Sequence, residues 1–202
     1  MLVEGPQETL QDVSPFLESN SEWIFTEWQK HRGTIRKSPW PERFQTGSKI
    51  LYLGRYTPIR VTSVGDGLSL IEENGSFQIN TPSSLTDEQR QSVIHEEFIG
   101  FFTEKIMELA ATFTRGFEST EFKFKVMHRK GQWAHCKSDS TIALGWDLMF
   151  LPKPLIQYVV VHEIVHTQIR NHSEKFWGAL SLKLPGWRER AENLKVFENS
   201  YL

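Results

Sequence analysis

Ile94, Phe98, Phe102, Ile106, Leu109 and Phe113 recur in steps of three and four. This stripe predicts a long amphipathic helix. Thr81-Pro82-Ser83-Ser84 ahead of it supplies turn and capping residues, with Asp87 three positions after Ser84. Gly116 supplies a stop. Upstream, Trp23, Ile24 and Trp28 suggest a short helix over 22–30, and Ser38-Pro39-Trp40-Pro41 breaks any continuation. Residues 49–64 are rich in Ile, Leu, Tyr and Val and punctuated by Gly54 and Pro58, so they read as strands. Val64-Gly65-Asp66-Gly67-Leu68 and Glu73-Asn74-Gly75-Ser76 look like hairpin turns. Leu68–Ile71 and Phe77–Ile79 then form short paired strands. Glu121 to Val126 alternates strictly, which indicates a half-buried strand, and Ser140–Leu144 is a second short strand.

Pro152 and Pro154 stand where a further helix begins. Val159-Val160-Val161 favours strand locally. Leu155, Val159, His162 and His166 nevertheless share one helical face, so helix is the reading over this stretch. Ser173-Glu174 opens another helix carrying Phe176, Trp177 and Leu180. Pro185-Gly186 turns the chain into a charged terminal helix from Trp187.

Composition narrows the class. With 202 residues the chain is long enough for one domain with a real core, and 39% hydrophobic with 24% charged residues is the balance of a soluble globular protein. A net charge of −2 gives no reason to expect strong attraction to nucleic acid or anionic membrane. Cys136 is the single cysteine, which rules out an intrachain disulfide and suits a reducing compartment. No signal-peptide pattern or membrane-length apolar run is present, so a cytoplasmic protein is expected.

The chemistry concentrates in residues 162–172, His-Glu-Ile-Val-His-Thr-Gln-Ile-Arg-Asn-His. His162 and His166, four apart, point their imidazoles from one helical face at a single ion. Glu163 lies about 100° round the axis. It is placed to act on a water as general base rather than to bind the same ion. A catalytic zinc takes three protein ligands and keeps a fourth position open. His172, beyond the helix end, is the favoured third ligand, and Glu174 competes with it. A closed structural site would call for cysteines, and none lies near.

Tyr158-Val159-Val160-Val161-His162-Glu163-Ile164-Val165-His166, followed by Asn171-His172-Ser173-Glu174-Lys175-Phe176-Trp177, resembles the YgjP-like metallopeptidase family, loosely grouped with the M48 peptidases. It is also similar to SprT-like and WLM-type proteases. Gly47 to Tyr56 looks like the family's strand segment, and Leu184-Pro185-Gly186-Trp187-Arg188 looks like its C-terminal turn. Two elements depart from the family pattern. Arg-Trp-Gly-Ser-Cys stands here as Gln132-Trp133-Ala134-His135-Cys136, and an Asn-Trp pair stands as Gly145-Trp146.

The resemblance implies an α+β fold with a zincin-like core. A small mixed or antiparallel sheet would pack against the zinc helix, beside a long preceding helix. It implies one domain over 1–202, with a mostly β segment at 1–80 and a helical catalytic core at 81–202. Ser140–Leu144 is then the expected edge strand near the metal, able to hold an extended peptide by strand addition.

The reading is a zinc-dependent peptidase acting on peptide or protein substrates. One Zn2+ would sit on His162, His166 and His172, with Glu163 as base. Two rivals are a metal-binding interaction module without catalysis and a DNA-associated protease of the SprT or WLM kind; no DNA-binding motif favours the latter. Other residues carry weaker signals. Tyr158 either reaches the reacting oxyanion or packs. His135 is an oxyanion donor or an extra metal contact, or else a local substitution with a structural hydrogen bond. Cys136 reads as a buried small residue, His128-Arg129-Lys130 as a solvated turn, and His31 and His95 as surface positions.

Overall fold

The structure, a computed structural model, describes residues 38–115, 117, 122–128 and 131–201. The expected helix over 22–30, His31, Gly116 and the Arg129-Lys130 pair lie outside the described residues. The architecture is α+β. Strands β1 (Lys49–Tyr52), β2 (Arg55–Ser63), β3 (Ser69–Glu73) and β4 (Ser76–Thr81) precede the long helix α1 (Asp87–Phe113). Three short strands follow: β5 (Phe124–Met127), β6 (Ala134–Cys136) and β7 (Ile142–Gly145). A 3-10 helix at Trp146–Phe150 leads into α2 (Lys153–His166), and α3 (Glu174–Lys183) and α4 (Trp187–Tyr201) complete the order.

The first sheet runs β1-β2-β4-β3. As expected, β3 and β4 pair antiparallel across Asn74-Gly75, whose positive φ values of 51° and 72° suit a tight hairpin. Residues 64–68 do not form the expected hairpin, because β2 pairs with β4 in parallel and β4 lies between β2 and β3. Asn80 explains the path. Its side chain accepts from Val64 N and donates to the Val64 and Gly67 carbonyls, which folds the loop over the end of β4. Burial in β4 alternates, with Phe77, Ile79 and Thr81 facing inward.

Helix α1 presents Ile94, Phe98, Phe102, Ile106 and Ala110 to the core, each fully buried, while Leu109 and Phe113 are half-buried. Its cap is Thr86 rather than the 83–84 pair. The Thr86 hydroxyl accepts from Gln89 N, and the Gln89 amide oxygen accepts from Thr86 N. Phe77 meets Phe98 edge-to-face at 5.0 Å, joining the first sheet to α1. Trp40 packs against Phe98, Phe102, Trp146 and Phe150. His95 is half-buried against the same indole at 4.6 Å, not at the surface as expected.

The second sheet runs β5-β7-β6, with β5 parallel and β6 antiparallel to β7. Strand β7 is therefore central and buried at all four positions, not the edge expected from the sequence. The strand at the edge on the α2 side is β6. Gly145 closes β7 in close contact with the Asp147 side chain and the Trp133 backbone. A Cβ there would lie 2.1 Å from Asp147 Oδ1 and 3.0 Å from the Trp133 carbonyl oxygen.

Helix α2 starts after Pro152 and is buried on almost every side, including Val159, Val160 and Val161. Packing thus overrides the local strand preference of the valines. Its start is braced by the β1–β2 turn. Leu53 N donates to the Met149 carbonyl at 2.8 Å and Gly54 N to Phe150 at 3.0 Å. A Cβ on Gly54, which has φ +82°, would lie 2.5 Å from Pro152 Cγ. The N-terminal sheet thereby fixes where the helix carrying residues 162–166 begins.

Candidate metal centre

The last turn of α2 carries His162 and His166, and the loop after it carries His172. The three Nε2 atoms converge: 3.1 Å from His162 to His166, 3.1 Å from His166 to His172, and 3.0 Å from His172 to His162. Glu174, the competing residue, begins α3 in an exposed position and is not part of this cluster.

The protonation pattern fits a cation. His166 Nδ1 lies 2.9 Å from the Ile169 carbonyl, so it carries the proton and its Nε2 presents a lone pair to the other two rings. Burial pushes His162 down to about 3, with lesser contributions from His166 and His172, and burial also lowers His166. Neutral imidazoles are thus favoured at His162 and His166. His162 Nδ1 is buried without a partner. A point equidistant from the three Nε2 atoms in their own plane lies about 1.8 Å from each, inside the 2.0–2.1 Å reach of a zinc–nitrogen bond. The convergent donor set therefore fits a zinc ion, which these three rings would hold.

Phe176 is the floor of the cluster. It is fully buried in α3, and its ring lies 4.9 Å from His162, 4.5 Å from His166 and 4.8 Å from His172. Tyr158, one turn before His162, is buried and packs edge-on against that ring at 5.7 Å.

A cavity of about 300 Å³ opens over the histidines, lined by Gln132, Ala134, His135, Cys136, Glu163 and Arg170 besides the three rings. Glu163 is buried at 8% exposure, and burial pushes its carboxyl up to about 7 against a hydrogen bond from the Cys136 backbone N–H. The altered element 132–136 is therefore the cavity wall. His135 stands on that wall outside the histidine cluster. Cys136 is half-buried rather than buried. Its thiol is pushed up by burial and accepts from Arg170 Nη1 at 3.2 Å.

Arg170 gave no signal in the sequence. Its guanidinium donates to the Lys137 and Ser138 carbonyls and to Ser140 Oγ, which ties the His172 loop to the turn after β6. Trp133 anchors the other end of the wall. Its indole N–H donates to Glu198 of α4 at 2.7 Å, and Gly145 N donates to its carbonyl at 2.7 Å. His128 stacks on Trp146 at 4.9 Å and lies 3.8 Å from Asp147, away from the histidine cluster.

Among solved structures, the metallopeptidase zymogen abylysin of Pyrococcus abyssi is similar at 17% identity and a TM-score of 0.37, over 52% of this chain and 98% of that one. The metallopeptidase zymogen jannalysin of Methanocaldococcus jannaschii is similar at 18% identity and a TM-score of 0.35, over 50% of this chain and 94% of that one. No curated protein matches the chain. Among the described residues no helix is long and apolar enough to cross a membrane. The YgjP-like metallopeptidase domain profile matches residues 2–197, nearly the whole length, and the chain belongs to that family.

Proposed function

We propose that the protein is a zinc-dependent peptidase that hydrolyses peptide bonds, with one Zn2+ held by His162, His166 and His172. The observation that carries the reading is the meeting of three imidazole Nε2 atoms within 3.1 Å of one another in a cavity also lined by Glu163. A zinc ion there would supply a Lewis acid able to lower a water's pKa from about 16 to about 7.

The chain's own groups do the rest. Glu163, whose burial raises it to about 7, takes the proton from the attacking water and returns it to the departing amine nitrogen. The Cys136 backbone N–H beside that carboxyl favours its charged form. The outer edge of β6 pairs with no strand among the described residues and borders the cavity, so it takes the role first expected of Ser140–Leu144. An extended substrate would add to it as a further strand. Residues 1–202 would form one catalytic domain, and a single cysteine suits a reducing compartment.

Glu163→Gln is the test. Cleavage of an unstructured protein substrate falls by at least about 100-fold while bound zinc stays at the wild-type level, because the amide is isosteric but cannot accept the proton. Unchanged cleavage in Glu163→Gln removes Glu163 from the chemistry. Zinc binding with no cleavage by wild type would favour a metal-binding interaction module.

A further inference from the structure

The three imidazoles are not held alike. Helical spacing sets His162 and His166, and the Ile169 carbonyl also fixes the His166 ring. His172 is exposed on the loop, and among the described residues no hydrogen bond orients its Nδ1. What meets it instead is aromatic. Trp177 lies nearly parallel at 5.3 Å and 21°, and Phe176 nearly perpendicular at 4.8 Å and 78°. A parallel and a perpendicular neighbour together block rotation of the imidazole about its Cβ–Cγ bond.

Trp177 is itself held from outside the site. It stacks on Trp187 at 4.4 Å and 12°. The Trp187 indole N–H donates to Ser181 Oγ at 2.9 Å, and the Arg188 guanidinium sits 4.9 Å from the centre of the same indole. A continuous run of contacts thus leads from the first turn of α4 to the loop imidazole.

We infer that Trp177, backed by Trp187, is the positioning device for His172, so that the start of the C-terminal helix sets zinc affinity at a site it does not touch. The inference rests on the zinc-site reading above. Supporting groups around a metal ligand typically change affinity by about 10- to 100-fold when removed, and one stacked aromatic pair by about 2- to 12-fold.

The experiment is zinc titration of the metal-stripped full chain against a chromophoric chelator, with cobalt(II) absorption reporting coordination. Trp177→Ala, Trp177→Phe and Trp187→Ala are compared with wild type, with His172→Ala marking loss of the ligand itself. Trp177→Ala is expected to weaken zinc by about 10- to 100-fold and to shift the cobalt spectrum toward that of His172→Ala. Trp177→Phe, which keeps a stacked ring, stays within about threefold of wild type, and Trp187→Ala loses about 2- to 12-fold.

Wild-type zinc affinity and cobalt spectrum in both Trp177→Ala and Trp187→Ala overturn the inference, whatever those variants lose in melting temperature. If Trp177→Ala does not fold, wild-type affinity in Trp187→Ala alone overturns it. Zinc bound by wild type but equally well by His172→Ala also overturns it. Failure of wild type to bind zinc is a different result, and it brings down the metal-site reading itself.

Discussion

Asp147 carries a penalty that its own amide removes. The residue sits in the first turn of the 3-10 helix, with its side chain 13% exposed. Oδ1 is buried without a hydrogen-bond partner, and His128 approaches Oδ2 only to 3.8 Å. Burial pushes the carboxyl from 3.8 up to about 6, held back by His128 and then by hydrogen bonds from the Asp147 and Leu148 backbone N–H groups. Because the folded-state value is raised, the unfolded chain releases the proton first. The native state's advantage is complete below pH 3.8, falls as the pH rises, and is gone above about 6. At roughly 1.4 kcal/mol per unit, the charged form weakens the fold by up to about 3 kcal/mol near neutrality.

Asp147→Asn keeps the shape and stays neutral. Urea unfolding of metal-free wild type and variant should give similar stabilities at pH 4. The variant's advantage should grow to about 1–3 kcal/mol at pH 7.5. Glu163, also raised by burial, titrates in both proteins and cancels in the difference. A difference that does not change with pH, or a less stable variant at pH 7.5, refutes the reasoning.

Two further perturbations test how the site is carried. Gly54→Ala puts a Cβ 2.5 Å from Pro152 Cγ at a backbone with φ +82°. It should cost about 2–5 kcal/mol in denaturant unfolding, through left-handed strain and overpacking at the start of α2. Phe176→Ala opens a hole beneath all three imidazoles. It should cost about 3–5 kcal/mol in unfolding and weaken zinc in a chelator competition, whereas intact zinc affinity would show that the floor does not support the cluster.

What the sequence discloses follows from how local each feature is. His162, Glu163 and His166 are sorted by helical geometry alone, so their placement was legible from spacing. The stripe of α1 was legible for the same reason. Its cap is ambiguous in the sequence because Ser84-x-x-Asp87 and Thr86-x-x-Gln89 both resemble start signals. Only Gln89 has a side chain that reaches back to bond the cap's own N–H.

The strand expected as an edge at Ser140–Leu144 is central, and Ile142-Ala143-Leu144-Gly145 is a continuous apolar run, the pattern of a strand covered on both faces. The parallel β2–β4 pairing, the Gly54–Pro152 contact and the clamp of Arg170 on the β6 wall join residues far apart in the chain. No periodicity announces such contacts. Arg170 in particular reads as an ordinary charged residue between two histidines until the fold brings the 137–140 turn beside it.

Metal analysis of purified protein reads the proposed ligand set. Wild type and Glu174→Ala should each carry close to one zinc per chain, and His172→Ala should lose most of it, because Glu174 stands outside the convergent imidazoles. Zinc retained by His172→Ala but lost from Glu174→Ala would contradict the assignment, and a wild type with no zinc and no affinity on titration would contradict the account as a whole.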